Sequence, residues 1–133
     1  MKLVLVAAVA LLDRDGRVLI ARRPPNGFLG GLWEFPGGKV EKGETPEEAL
    51  LRELREELSI DTWQSCLAAL TFASHSYPQF HLLLTLFVCR KWTGQPVARV
   101  HSELKWVRAR DLVKSPMPPA DKPLLPILRD WLH

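Results

Sequence analysis

Apolar residues recur along the chain with two different spacings, and the change of spacing marks the elements. From Leu3 to Leu12 the run LVLVAAVALL is continuously apolar, and a second run, RVLIARR, follows the polar stretch Asp13-Arg14-Asp15-Gly16. Two such runs around a short polar turn predict a β-hairpin over residues 3–12 and 17–23. Pro24-Pro25-Asn26-Gly27 breaks the pattern, a glycine-rich loop runs through Gly30-Gly31, and Leu32–Phe35 reads as a short strand. The spacing then turns helical: Leu50, Leu51, Leu54 and Leu58 fall on one arc at about 100° per residue. Thr45 as N-cap, Pro46 at the first helical position and Glu48 completing T-x-x-E start this helix, which runs to about Leu58. Strand patterns return over Thr62–Ala73 and Gln79–Lys91, separated by a turn at Tyr77-Pro78, and again over Leu104–Val107 beyond a turn at Thr93–Pro96. A helical turn at Ala109–Val113 and a helix from about Pro123 to Trp131 complete the chain. Strands on both sides of a central helix, with another helix at the end, predict a mixed α/β fold of helices against a sheet, in one domain spanning residues 1–133.

The central helix carries more than a core-facing stripe. Glu53, Glu56 and Glu57 stack on an arc adjoining the leucines, with the small Ala49 on that arc one turn earlier. Like charges at this spacing repel by a few tenths of a kcal/mol per pair, so carboxylates at the edge of a buried stripe invite a shared cation. Oxygen ligands suit a hard divalent ion, Mg²⁺ above all where phosphates are handled. For E-x-x-E-E alone, a solvated helix with Arg52 and Arg55 in ordinary ion pairs is sufficient explanation. The Gly37-Gly38 pair after Pro36 changes this, because a glycine lets a backbone carbonyl turn toward a metal or phosphate without steric cost.

Gly38, five residues, Glu44, seven residues, then Arg52-Glu53-Leu54-x-Glu56-Glu57 resembles the Nudix box, departing only at Ser59, where the family usually has glycine. Ala21-Arg22-Arg23, Leu32–Lys39 and Pro118–Asp121 extend the likeness, which is nearest to the MutT branch. The resemblance implies the Nudix fold, an α-β-α sandwich with a mixed sheet. It also implies cleavage of a nucleoside triphosphate to a monophosphate and pyrophosphate with Mg²⁺, Mn²⁺ being a possible substitute. It makes Glu53, Glu56 and Glu57 metal ligands together with a carbonyl of Gly37 or Gly38. Glu53 is the first choice for the base and Glu56 the second, while Glu44 and Arg52 hold the loop against the helix. MutT-like enzymes carry a further acidic ligand about six residues before a strand tryptophan. Counting back from Trp106, that position is Val100, with Glu103 the nearby substitute.

Arg23 and Lys39 are candidates for phosphate contacts, with ordinary surface charge as the alternative for each. Phe35 is expected around the base, and Asp121 is expected to read its edge; Leu82, Tyr77 and Phe80 either wall that pocket or belong to the core. In relatives of this branch the position of Asp121 is an asparagine reading oxidised guanine, or an aspartate in enzymes taking cytidine nucleotides. The expected substrate is 8-oxo-dGTP, which would make the enzyme a guard of the nucleotide pool and of replication fidelity. CTP or 5-methyl-dCTP is the alternative, and a non-catalytic nucleotide-binding module is the reading from another class. His75 and His81 read as structural.

Charge sharpens the choice of partner. Residues 38–60 carry net −3 and the rest of the chain +6, an acidic centre in a mildly basic frame that suits a small polyanion. A nucleic-acid polymer would call for a denser basic stripe. Cys66 and Cys89 lie in apolar runs and lack metal-ligand spacing, so they are expected to be buried thiols. Lys2 with the following apolar run resembles a leader, but its continuation into a second strand favours a buried strand and a cytoplasmic protein. No segment reaches the roughly 18 apolar residues of a membrane span. Monomer and homodimer are both open.

Overall fold

The computed structural model describes residues 1–132. Its elements are β1 (Leu3–Leu11), β2 (Arg17–Arg22), β3 (Trp33–Glu34), β4 (Gly37–Lys39), α1 (Pro46–Leu58), β5 (Ala68–Tyr77), β6 (Phe80–Cys89), β7 (Glu103–Arg108) and α2 (Leu124–Trp131), with 3₁₀ turns at Gln64–Cys66 and Ala109–Lys114. One sheet has four strands in the order β4-β1-β6-β5; the other has three, β3-β2-β7. The larger sheet is mixed, because β1 runs parallel to β6 and antiparallel to β4.

The continuous apolar character of β1 follows from this position. Its odd residues Ala7, Val9 and Leu11 pack with Leu50, Leu54 and Leu58 of α1, and its even residues Ala8 and Ala10 pack with Leu124 and Leu128 of α2. A strand buried on both faces cannot alternate. The result is the expected α-β-α sandwich. Among the described residues, no helix is long and apolar enough to cross a membrane.

Three expected elements are corrected. The hairpin of residues 3–12 and 17–23 is absent: β1 and β2 share one bridge, Leu12 to Val18, and then enter different sheets. The Asp13 carboxylate accepts from the amides of Asp15 (2.9 Å) and Arg17 (2.8 Å) and from Arg17 Nε (2.8 Å), fixing the bend where the strands part. The strand expected from Thr62 starts at Ala68 and extends to Tyr77, because Thr62 is buried with its hydroxyl donating to the Lys91 carbonyl at 2.6 Å. Gly37–Lys39, where no strand was expected, is strand β4 on the edge beside β1.

Helix α1 matches its expected bounds. Thr45 Oγ1 accepts from the Glu48 amide at 3.1 Å, and the Glu48 carboxylate accepts from the Thr45 amide at 2.9 Å. The C-cap Ser59 sits in the left-handed region (φ 58°, ψ 34°), which glycine adopts at less cost. Arg99 Nη1 donates to its hydroxyl at 3.2 Å. The loop leading to β7 docks on this helix end, the amides of Val97 and Arg99 donating to the carbonyls of Leu58 and Glu57.

Candidate active site

The open end of the larger sheet, where the even face of β1 is no longer covered by α2, forms a cleft of about 670 Å³. That volume is in the range of small-molecule sites. Val4, Val6, Leu82 and Leu84 supply an apolar floor, their register set by the parallel pairing of β1 with β6. Arg23, Phe35, Gly37, Gly38, Lys39, Leu82 and Asp121, all expected at the site, line this cleft together with Glu57.

At one end, β4 brings the glycines under α1. Gly37 has φ 149°, and a Cβ there would collide with the backbone carbonyl of Ala7; a Cβ on Gly38 would collide with the Glu53 carboxylate. Neither position tolerates a side chain while β4 pairs with β1 and Glu53 rests over the strand. Arg52 locks the geometry: Nε donates to Glu44 Oε2 (2.7 Å), Nη2 to Glu44 Oε1 (2.9 Å) and to the Lys39 carbonyl (3.2 Å), and Nη1 to Glu53 Oε1 (2.7 Å). This bidentate grip, helped by the Glu41 amide, draws Glu44 down to about pKa 2. Glu56 lies at the solvent edge of the network, 3.4 Å from Arg52 Nη1 and 59% exposed.

Glu57 is in a different state. Its Oε1 is buried without a hydrogen-bond partner. Burial, then the neighbouring Glu53 and Glu34 carboxylates, push its pKa up to about 8, against a smaller pull from the Gly37 amide. An orphaned carboxylate oxygen beside a second carboxylate and a glycine strand fits a divalent cation of hard character, whose charge would remove the reason for that shift. Among the described residues, no three His, Cys, Asp or Glu side chains are grouped so as to hold a metal ion by themselves.

At the other end the lining is aromatic. Tyr77 packs against Phe80 in a tilted arrangement at 5.2 Å, and Phe28 meets Tyr77 edge-on at 5.5 Å. The Tyr77 hydroxyl is buried without a hydrogen bond of its own. Burial raises its pKa, the nearby Ala120 backbone partly offsets this, and Asp121 adds to it. Asp121 itself is only 7% exposed. Its pKa rises to about 7 through burial first and Glu34 second, with Arg23 and the Phe35 amide opposing.

Glu34 and His101, not expected at the site, join the two ends. Glu34 Oε1 accepts from Arg23 Nε at 2.9 Å, and Glu34 Oε2 pairs with His101 Nε2 at 2.9 Å. Arg23 Nη1 donates to the Phe28 carbonyl at 2.9 Å, so the guanidinium is aimed by two contacts. Glu34 sits within the strand that precedes the glycines, and its carboxylate was a signal available in the sequence. His101 had none, because only the fold brings residue 101 to residue 34.

Of the expected ligands, Glu53, Glu56 and Glu103 lie outside the cleft lining, Glu53 and Glu56 in the Arg52 network beside it. Glu103 opens β7 opposite Arg22, 3.7 Å from its guanidinium and half exposed, outside the cleft lining. The strand alternation directs it to the rim, and Val100 and His101 take the cleft wall instead. His81 is structural, its ring nitrogens bonded to Ser74 Oγ (2.6 Å) and Ser76 Oγ (2.7 Å). Cys66 and Cys89 are free thiols, Cys89 buried as expected and Cys66 only half-buried, in the 3₁₀ turn before β5.

The cleft thus has glycines and carboxylates at one end, an apolar floor and an aromatic far end, the make-up of a small-molecule site. The chain belongs to the Nudix family: residues 7–126 match the NUDIX domain, and the protein is a Nudix hydrolase. Hydrolases of this family use divalent metal ions. An 8-oxo-dGTP diphosphatase of Proteus vulgaris is 46% identical over 90 residues, covering 68% of this chain and 79% of the relative. The CTP pyrophosphohydrolase of Escherichia coli K12 is 37% identical, covering 94% of this chain and 90% of that one. The solution structure of the E. coli ORF135 protein superposes with a TM-score of 0.85 at 34% identity, over 98% of this chain and 91% of the other.

Proposed function

We propose that the protein is a Mg²⁺-dependent nucleoside triphosphate pyrophosphohydrolase that cleaves 8-oxo-dGTP to 8-oxo-dGMP and pyrophosphate, clearing an oxidised nucleotide before it is incorporated into DNA. The observation that carries this reading is the division of one cleft into a carboxylate–glycine end and an aromatic end holding Asp121. Glu57, Glu53 and Glu56, with the backbone of Gly37 or Gly38, are the residues that would hold Mg²⁺. When bound, the ion neutralises phosphate charge and acidifies or orients water.

The remaining work falls to the chain itself. Arg23, aimed by Glu34 and the Phe28 carbonyl, offers its free Nη2 edge to a phosphate oxygen, and Lys39 adds a second positive charge at the rim. Arg52 presets Glu53 for proton abstraction from water by holding Oε1, with Glu56 as the second choice for base. Phe35 and Leu82 pack against the base, and Asp121 bonds its polar edge. A hydrogen-bonding reader in an apolar pocket discriminates far more strongly than shape alone. The similarity to both named relatives supports a second reading within the same chemistry, a CTP or 5-methyl-dCTP pyrophosphohydrolase, since a carboxylate accepts equally from the N7–H of 8-oxoguanine and the amino group of cytosine. A small polyanionic substrate and the absence of a dense basic stripe fit action on free nucleotides in the cytoplasm.

The test is kcat/KM with Mg²⁺ for 8-oxo-dGTP, dGTP, CTP, 5-methyl-dCTP and ADP-ribose, following pyrophosphate release. A preference for 8-oxo-dGTP over dGTP above about tenfold, some 1.4 kcal/mol in the transition state, supports the sanitising role. A maximum at cytidine nucleotides transfers the protein to the second reading.

A further inference from the structure

Three buried side-chain atoms among the described residues have no hydrogen-bond partner: Glu57 Oε1, Tyr77 Oη and His101 Nδ1. All three residues line the same cleft. Leaving a buried polar atom unpaired costs roughly 1–3 kcal/mol, so a chain that carries three around one cavity is built around a ligand. The Glu57 and Tyr77 atoms belong to the two ends already described. The histidine is unexplained.

His101 is 7% exposed as a residue and its side chain 3%. Its Nε2 lies 2.9 Å from Glu34 Oε2, and the other oxygen of Glu34 accepts from Arg23 at 2.9 Å. Arginine keeps its charge in proteins and only donates, so Glu34 Oε1 is an acceptor and Oε2 is the oxygen that meets the imidazole. With Nε2 as the nitrogen that donates to Glu34, the uncharged ring is the tautomer with a lone pair at Nδ1. A ring nitrogen oriented by a carboxylate through the other ring N–H is the arrangement typical of metal-bound histidine. His101 lines the cleft, whose second orphaned atom is a carboxylate oxygen of Glu57.

The geometry points to His101 as a nitrogen ligand for a divalent cation shared with the nucleotide's phosphates, held in orientation by Glu34. The inference rests on the phosphate-hydrolase reading above and adds a donor of a different kind. Imidazole nitrogen is a softer donor than carboxylate, and it favours transition ions over Mg²⁺. The cleft therefore binds Mn²⁺ more tightly than Mg²⁺ by more than its carboxylates alone would give.

The test is pulsed EPR on the purified protein with Mn²⁺ and an α,β-methylene analogue of CTP, which cannot be cleaved at that bond. Electron spin echo modulation from directly bonded ¹⁴N is expected, changing to the ¹⁵N pattern when the protein is grown on ¹⁵N-histidine. This arm needs no variant, and so does not depend on the folding of a mutant. His101→Gln is expected to abolish the nitrogen modulation and to weaken Mn²⁺ about tenfold or more, while Mg²⁺ affinity changes by less than about threefold. Mn²⁺ that binds in a Glu57-dependent way without histidine-nitrogen coupling overturns the inference and leaves the proposed function standing. Coupling that survives His101→Gln also overturns it. If Glu57→Gln leaves Mn²⁺–nucleotide binding unchanged, both readings fall.

Discussion

Replacing Glu57 by glutamine separates the carboxylate's charge from its shape. In the cation-free protein the Glu57 pKa stands at about 8, against an ordinary 4.5, because burial and the Glu53 carboxylate disfavour its charge. A group whose folded pKa is raised contributes stability that is complete below its unfolded value and is lost as pH rises through the folded value. At pH 7 the folded state holds about 0.9 of a proton on Glu57 and the unfolded state almost none. The wild-type protein therefore loses about 1 kcal/mol per pH unit there from this group alone, levelling off above about pH 8. For a chain of 133 residues that corresponds to about 3–4 °C in Tm per unit. Glu57→Gln removes the term and keeps the side-chain volume. The assay is thermal unfolding of both proteins in EDTA from pH 5.5 to 9. The Tm of the variant minus that of wild type is expected to rise with pH across pH 5.5–8 and then flatten. With Mg²⁺ and a nucleotide, wild type should gain Tm and lose its downward slope, because a cation replaces the proton, while the variant should respond to neither. Parallel pH dependences of the two proteins in EDTA would refute the argument that Glu57 titrates in this window.

Three further outcomes follow from particular contacts. Arg52→Lys keeps the charge but cannot hold Glu44, Glu53 and the Lys39 carbonyl at once; steady-state kinetics should show kcat/KM lower by about 10–100-fold, with the fold retained by circular dichroism. Asp121→Asn should flatten the pH dependence of base preference: Asp121 titrates near pH 7, so above that pH it only accepts and below it a proton is available to donate. The ratio of kcat/KM for 8-oxo-dGTP and CTP, measured from pH 6 to 8.5, is expected to change in wild type and stay constant in the variant. Ser59→Gly relieves the left-handed strain at φ 58°, so urea unfolding should show a gain of up to about 1 kcal/mol, reduced by loss of the Arg99 bond.

The residues of α1 and the glycines before it were legible because each is specified locally. A capping box, a leucine arc and a carboxylate arc all follow from 3.6-residue periodicity, and the helix appears with its expected ends. Burial of β1 on both faces was also legible in its unbroken apolar run, but its partners were not. Strand pairing depends on residues distant in sequence, so the apparent hairpin resolved into two sheets, with β1 beside Gly37–Lys39 and the residues of β6. The same reason governs the cleft. The chain order shows Glu53, Glu56 and Glu57 as equals, whereas packing exposes Glu56 and buries an oxygen of Glu57. It gives Glu53 to Arg52 and brings His101 to Glu34 across 67 residues. Sequence alone determined which residue types the chemistry has available. Tertiary structure decided their electrostatic environment, their partners and which of them line the cleft, because desolvation and Coulomb terms depend on distances that local periodicity does not encode.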